Sequence, residues 1–279
     1  MSKTTKLREW KLWARTDNDR VKGYVLNSGL TSLVQCSYRT VDKVLVSAFV
    51  ERWHPETNTF HLPFGEMTIT LDDVANILGI PVGGAPVATL VEDNITCEYL
   101  LTAYLGVSGD QASEQLMDFG GEYVRLEWLR TCFSDVTDAD SEHEIQCAAR
   151  AYLLYLLGCT LFVDKTGTRV QVQYLRLLTN LDTVSHYAWG AGCLAWLFRQ
   201  FGFASRAGVK QIGGYMTLIE AWVYEHMHTI FGPSYDMNYS ENSPRALRWT
   251  PRRDGGSDLE AVQRIRQRLD VLSADEVYL

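Results

Sequence analysis

Residues 144–162, EIQCAARAYLLYLLGCTLF, constrain the fold more than any other stretch. Apolar side chains fall on nearly every face of the helix this segment forms, and such a helix must be buried on all sides. Its longest near-apolar run, Ala151 to Val163, is about 13 residues, short of the ~20 that span a bilayer. Burial inside protein is therefore expected. Ser141 and Glu144, three apart, form a capping box at its start.

The rest of the chain supplies the wrapping. In RTVDKVLVSAFVERW, Val41, Val44, Leu45, Ala48, Phe49 and Trp53 recur at three- and four-residue steps, one buried helical stripe. The period then changes. In TFHLPFGEMTITL, Phe60, Leu62 and Phe64 alternate, then Met67, Ile69 and Leu71, with Gly65 between, which predicts a β-hairpin near residues 58–71. Thr70 with Asp73 caps the helix LDDVANIL, and Gly79 and Pro81 end it. Helical patterns continue in CEYLLTAYL, ASEQLMDF, RLEWLRTCF, VQYLRLLTNL, YAWGAGCLAWLFRQF and GGYMTLIEAWVYEHMHTIF. Residues 232–257 read as irregular, with Pro233, Pro244, Pro251 and Gly255-Gly256. A last helix opens at Ser257 with Glu260, a third capping box. It turns Leu259, Val262, Ile265, Leu269 and Leu272 inward and Arg264 and Arg268 outward. No internal repeat, low-complexity tract or linker stands out. The expectation is a mainly α fold, one helical domain over residues 1–279 with its core at about 25–273 and one small hairpin.

Charge is unevenly placed. Residues 65–145 carry 16 acidic and 2 basic side chains, whereas the whole chain has a formal net charge of −8. Nonspecific nucleic-acid affinity comes mainly from Lys and Arg, so this middle segment is unsuited to lying along phosphates. It would suit a basic protein partner; a solvated acidic face is the plainer reading. The six cysteines, Cys36, Cys97, Cys132, Cys147, Cys159 and Cys193, include no C-x-x-C pair and mostly sit in apolar helical patterns, as reduced Cys does. The N-terminus, MSKTTKLREWKLWAR, lacks the apolar core of a signal peptide. A soluble protein of a reducing, intracellular compartment is expected.

Three motifs raise chemistry. Asp164-Lys165-Thr166-Gly167-Thr168 matches the phosphorylation motif of P-type ion pumps. That chemistry needs the Asp at the end of a parallel strand and a second acidic pair holding Mg²⁺. The only downstream candidate pair, Asp254 and Asp258 in DGGSD, follows no buried strand, and Asp-Lys-Thr-Gly has ordinary turn composition, so a turn is expected. TLDDVANILGI resembles the first half of a helix-turn-helix. The following PVGGAPVATLVED has two Gly and a Pro, which oppose a second helix, and no cation to reach phosphate or guanine.

His226 and His228 are two apart, so on a regular helix they face nearly opposite sides and cannot share a metal. His54, His61 and His186 have no paired ligand at metal spacing. Each reads as a packing or surface residue. Lys165 could hold pyridoxal phosphate only within a large α/β frame, which this chain lacks. No catalytic, cofactor-binding or metal-ligating residue is assigned, and no cofactor.

One family accounts for these stretches together. LVSAFVERWHPETNTFHLPFGEMTITLDDVANILGIPVGG resembles the core of the plant mobile domain, with its E-R-W-x-P-E-T run, its hairpin and its L-G-[IL]-P-V-x-G stop. VRLEWLRTCF, ARAYLLYLLGCTLFVDKTG, LLTNLDTVSHYAWGAGCLAWLFRQF, IGGYMTLIEAWVYE and RIRQRLDVLSADEVYL are similar to later blocks in the same order. In that family the long apolar helix is commonly followed by Asp-Lys-Ser/Thr-Gly, so the likeness to ion pumps is convergence on a turn.

The resemblance implies a nuclear, non-catalytic protein-interaction module of the MAINTENANCE OF MERISTEMS type. It would act in transposable-element silencing, gene-expression control and meristem maintenance, with a type-7 serine/threonine phosphatase-like partner. Other plant mobile domain proteins are further candidate partners, and no membrane is involved. An older label, aminotransferase-like, has no supporting residue here. The rival expectation is a transposon-derived DNA- or chromatin-binding domain. It would use Lys3, Lys6, Arg8, Lys11, Arg15, Arg20 and Lys22, with Arg245, Arg248, Arg252 and Arg253.

Overall fold

A computed structural model describes residues 7–37, 41–88, 95–118, 120–205, 211–251 and 258–278. The fold is mainly α and is built around the largely apolar helix, whose one buried cation, Arg150, donates to Leu178 O and Thr179 O. In chain order come α1 (Asp19–Asn27), α2 (Ser32–Cys36), α3 (Lys43–Val50), β1 (Trp53–His54), β2 (Thr59–Leu62), β3 (Gly65–Met67), α4 (Leu71–Leu78), α5 (Cys97–Leu105) and α6 (Gly109–Met117). Then come β4 (Tyr123–Arg125), α7 (Leu126–Phe133), α8 (Glu142–Cys159), β5 (Arg169–Gln171), α9 (Trp189–Ala204) and α10 (Met216–Phe231). The short strands β6 (Ser234–Tyr235) and β7 (Trp249–Thr250) precede α11 (Asp258–Asp270).

Helix α8 is the expected central element. Every residue from Cys147 to Cys159 is buried. It packs against α1, α5, α7 and β5. Its capping box forms as read: the Ser141 hydroxyl accepts from Glu144 N, and the Glu144 carboxylate accepts from Ser141 N at 2.9 Å. The helix ends at Cys159, three residues before Phe162, and Gly158 lets β5 approach it closely. A Cβ on Gly158 would lie 2.7 Å from Val170 Cβ and 2.8 Å from Leu126 Cδ2. The chain then turns and pairs β5 with β4 antiparallel.

A second group of elements encloses an aromatic cluster. Trp53 packs edge-on against Phe60 and Phe201, and Phe49 against Trp222 and Phe231. Helices α3, α4 and α9 bring these rings together with α10. Apart from Phe231, which packs against it half-buried, these side chains belong to one continuous buried cluster with those around α8, which also takes in Leu7, Trp10 and Leu12.

Several expectations need correction. The hairpin occupies Thr59–Met67, and a third strand, β1, pairs with it through Trp53–Phe60 and His54–Thr59. Leu71, expected in the second strand, is instead the exposed first residue of α4, because the Thr70–Asp73 capping box already starts the helix there. VQYLRLLTNL forms a 3-10 helix, Val172–Leu178, rather than an α-helix. Arg268 does not point freely outward; it is half-buried against Glu276. Ser257 and the side chain of Leu259 lie outside the described residues, and with them the third capping box.

Candidate functional site

Asp164 is tied into a turn, not poised as a nucleophile. Its carboxylate accepts from Thr166 Oγ1 at 2.8 and 2.9 Å, from Gly167 N at 2.6 Å and from Arg169 Nε at 2.8 Å. Gly167 supplies the left-handed backbone, φ +63°. The Arg169 guanidinium lies 4.6 Å from the centre of the Tyr123 ring, so the motif fastens β5 to β4. No strand precedes Asp164; Thr160–Val163 follow directly from α8. The Lys165 ammonium rests over the Phe203 ring. Asp254, the second acid considered, and the side chain of Asp258 lie outside the described residues.

The helix-turn-helix half-motif lacks its second helix among the described residues 80–88. This segment instead lies along the start of α9. Gly190 N donates to Pro81 O at 2.7 Å, Ala85 N to His186 O at 2.9 Å, and Ala188 N to Ala85 O at 2.8 Å. His186 thus serves through its backbone.

The remaining histidines do structural work. His54 and His61 stack face to face, 3.6 Å between centroids, on the small sheet. Helix α10 is not regular between His226 and His228: Met227 has φ −141° and ψ 32°. The opposite-face expectation for a regular helix therefore fails. His226 Nδ1 bonds the Tyr278 carbonyl, while the His228 ring stacks on the Tyr278 ring at 4.6 Å. Among the described residues, no group of three or more His, Cys, Asp or Glu could hold a metal ion, and no helix is long and apolar enough to cross a membrane.

Most of the described cations in the two basic segments are engaged within the molecule, whereas Lys11 is exposed and Arg8, also exposed, reaches Ser37 O at 3.4 Å. Arg15 forks onto Asp17 and reaches Ser134 O. Arg20 pairs with Glu142, and Lys22 Nζ lies 2.9 Å from Asp19. Asp138 accepts from the backbone N of Asp19 and Arg20, both at 2.8 Å, capping α1 from outside. Arg245 and Arg248 converge on Glu225, whose side chain is 7% exposed, and Arg248 also pairs with Glu241. Lys3, Lys6, Arg252 and Arg253 lie outside the described residues.

What remains is a pocket inside the acidic segment. It has a volume of about 380 Å³ and sits where the C-terminal ends of α5 and α7 meet the first turns of α6 and α8. Leu105, Val107, Phe133 and Val136 give it an apolar lining. Gln111, Cys132, His143, Glu144 and Cys147 supply polar atoms, and no Lys or Arg lines it. Gln111 and Glu144 are the third helical residues of two capping boxes, which fixes both side chains at the rim. Hydrogen bonds from Ser141 hold the Glu144 carboxyl below its ordinary range, so it stays charged. His143 Nε2 lies 3.7 Å from Cys147 Sγ. Burial pushes the Cys147 thiol up, and partial desolvation does the same to Cys132, whose side chain still reaches solvent, so neither is an activated thiolate nucleophile. The arrangement can bind; it carries no activated nucleophile. Sequence spacing gave no sign of this pocket beyond the one-turn separation of His143 and Cys147.

The plant mobile domain family model matches residues 29–278. Protein MAIN-LIKE 2 of Arabidopsis thaliana is 38% identical over 275 residues, 98% of this chain and 39% of that protein. Protein MAINTENANCE OF MERISTEMS of the same plant is 36% identical over 238 residues, 85% of this chain and 48% of that protein. A third relative from that plant, named Serine/threonine-protein phosphatase 7 long form homolog, is 34% identical over 224 residues, 80% of this chain and 16% of its own length. The chain thus spans about half or less of the curated relatives it matches. No solved structure matches it. Family profile, relatives and the order of the motifs agree: the chain belongs to the plant mobile domain family.

Proposed function

We propose that this chain is a non-catalytic protein-interaction module of the nucleus. It pairs with a type-7 serine/threonine phosphatase-like protein in transposable-element silencing, control of gene expression and meristem maintenance. The observation that carries the reading is the relative with a phosphatase name, which aligns with 80% of this chain over only 16% of its own length. Domains joined in one polypeptide meet at high effective concentration, which favours complementary surfaces between them.

The rival reading, a transposon-derived DNA- or chromatin-binding domain, needs cations aimed at solvent. Arg15, Arg20, Lys22, Arg245 and Arg248 are instead bound to carboxylates or carbonyls of their own chain. Phosphates would have to displace those partners.

Size-exclusion chromatography with light scattering tests the proposal. The chain mixed with the phosphatase-like protein at micromolar concentration is expected to elute at the summed 1:1 mass. Separate elution overturns the pairing. A mobility shift on duplex DNA that survives ~150 mM salt would move the rival ahead.

A further inference from the structure

The acidic segment does not present its charge evenly. Between Asp135 and Glu142 the acids are knitted to the N-terminal cations: Arg15 faces Asp135, Arg20 pairs with Glu142, and Asp138 caps α1. Farther along, Arg125 pairs with Asp118 and Arg130 with Glu127. Asp110 and Glu114, one turn apart on α6, are exposed and have no ion pair among the described residues. They share α6 with Gln111, which lines the pocket, as does Glu144 in the first turn of α8. Carboxylates thus sit on α6 and in the first turn of α8, two of the elements that form an opening whose lining includes Leu105, Val107, Phe133 and Val136.

We propose that this pocket is the docking site for a Lys/Arg-rich segment of the protein partner, which inserts one apolar side chain between Val107 and Val136 while its cations meet Asp110, Glu114 and Glu144. The proposal rests on the interaction-module reading and names the recognition chemistry of that module. Charge decides the occupant. An acidic segment or a nucleic acid would meet like charge, and a purely apolar segment would leave the carboxylates unused. A volume of about 380 Å³ is ample for one large aliphatic side chain. Interface energy concentrates in such centrally buried anchors, while rim charges steer approach and set salt dependence.

Cys132 makes the site measurable. It lines the pocket, and it alone of the six cysteines is exposed. The probe is a fluorescein-labelled nonapeptide with a central Leu and four Lys or Arg on each side. Its controls carry a central Ala, or Glu in place of every cation. Binding to the intact chain is read by anisotropy, and occupancy by the rate at which a maleimide labels Cys132.

The Leu peptide is expected to bind, to slow labelling, and to lose about tenfold in affinity with a central Ala. Asp110→Lys with Glu114→Lys, and separately Cys132→Trp, should each weaken it by about tenfold. Glu56→Lys in the β1–β2 loop should not. Circular dichroism and Tm of each variant separate lost binding from lost folding. Equal binding of Leu and Ala peptides, unchanged labelling, or no binding below about 100 µM overturns the proposal. So does a small molecule carried by the purified chain in native mass spectra and displaced by Cys132→Trp. If the phosphatase-like protein binds both variants as well as wild type, the pocket is not its dock, although the pairing itself stands.

Discussion

His226 Nε2 lies 3.1 Å from Asp73 Oδ1, which ties α10 to the first turn of α4. Asp73 is already half of the capping box with Thr70, so one carboxylate organises two helices. The other ring nitrogen, Nδ1, faces the Tyr278 carbonyl. Both partners are acceptors, and only the doubly protonated imidazolium has an N–H for each.

That geometry fixes a pH dependence. Burial alone would lower the His226 pKa, but Asp73 and the Tyr278 carbonyl together raise it above its ordinary 6.5. Asp73 is likewise pushed up by burial, yet held below its ordinary 3.8 by His226 and Thr70. The pair's contribution is complete between the two ordinary values. It is lost as pH rises through the folded-state His226 pKa, and as pH falls through that of Asp73. His226→Ala should therefore lower Tm more at pH 6 than at pH 8, by an amount corresponding to roughly 1–3 kcal/mol at the lower pH. Equal losses at both pH values would show that the imidazole is neutral throughout.

Glu220 works in the opposite sense. It is fully buried on α10 and accepts from Asp42 N, at the start of α3, and from Tyr224 OH at 2.8 Å. Burial raises its pKa from 4.5 to about 7 despite those bonds. The folded state then holds a proton that the unfolded chain releases, so stability falls as pH rises from about 4.5 to about 7. The shift corresponds to about 3 kcal/mol at most. Glu220→Gln keeps an acceptor for both donors and should flatten the decline of Tm between pH 5 and pH 8. An unchanged slope would place the carboxylate in a wetter site than the structure shows.

What the sequence disclosed was local. Apolar residues on every face of 144–162 required the central burial of α8, and Ser141–Glu144 and Thr70–Asp73 marked helix starts because a capping box closes within four residues. The kink at Met227 left no comparable trace, since EHMHTIF is ordinary helical composition and tertiary contacts with Tyr278 accompany the break. Strand β1 was hidden because only two residues pair. The neutralisation of Arg20 was out of reach for a similar reason, its partner Glu142 being 122 residues away, and so was the approach of Arg15 to Asp135, 120 residues away; only its pairing with Asp17 is local. Until the helices are assembled, a basic segment and an acidic segment look like two interaction surfaces. The pocket needs four helices to meet, and no single stretch encodes that.

Asp164 provides a test between resemblance and geometry. With Thr166, Gly167 and Arg169 all donating to its carboxylate, Asp164→Asn removes the charge that holds Arg169. A charge-assisted bond at a largely covered site is worth roughly 1.5–3 kcal/mol, so a lower Tm is expected. Incubation with labelled ATP and Mg²⁺ should leave wild type and variant equally unlabelled. An acid-stable, hydroxylamine-sensitive label on wild type alone would restore the nucleophile.

Gly83 and Gly84 form a matched pair in the loop that stands where a helix-turn-helix would need its second helix. Gly84 sits at φ +123°, and a Cβ there would lie 2.1 Å from His186 O. That neighbour is backbone, held by its own bond from Ala85 N, so it cannot swing aside. A Cβ on Gly83 would meet nothing within 4 Å. Gly84→Ala combines a strained conformation with a clash and should cost upwards of about 2 kcal/mol. Gly83→Ala should change stability by no more than about 0.5 kcal/mol. Urea denaturation of the two variants decides the matter: equal midpoints would mean that residues 81–88 do not lie against the start of α9.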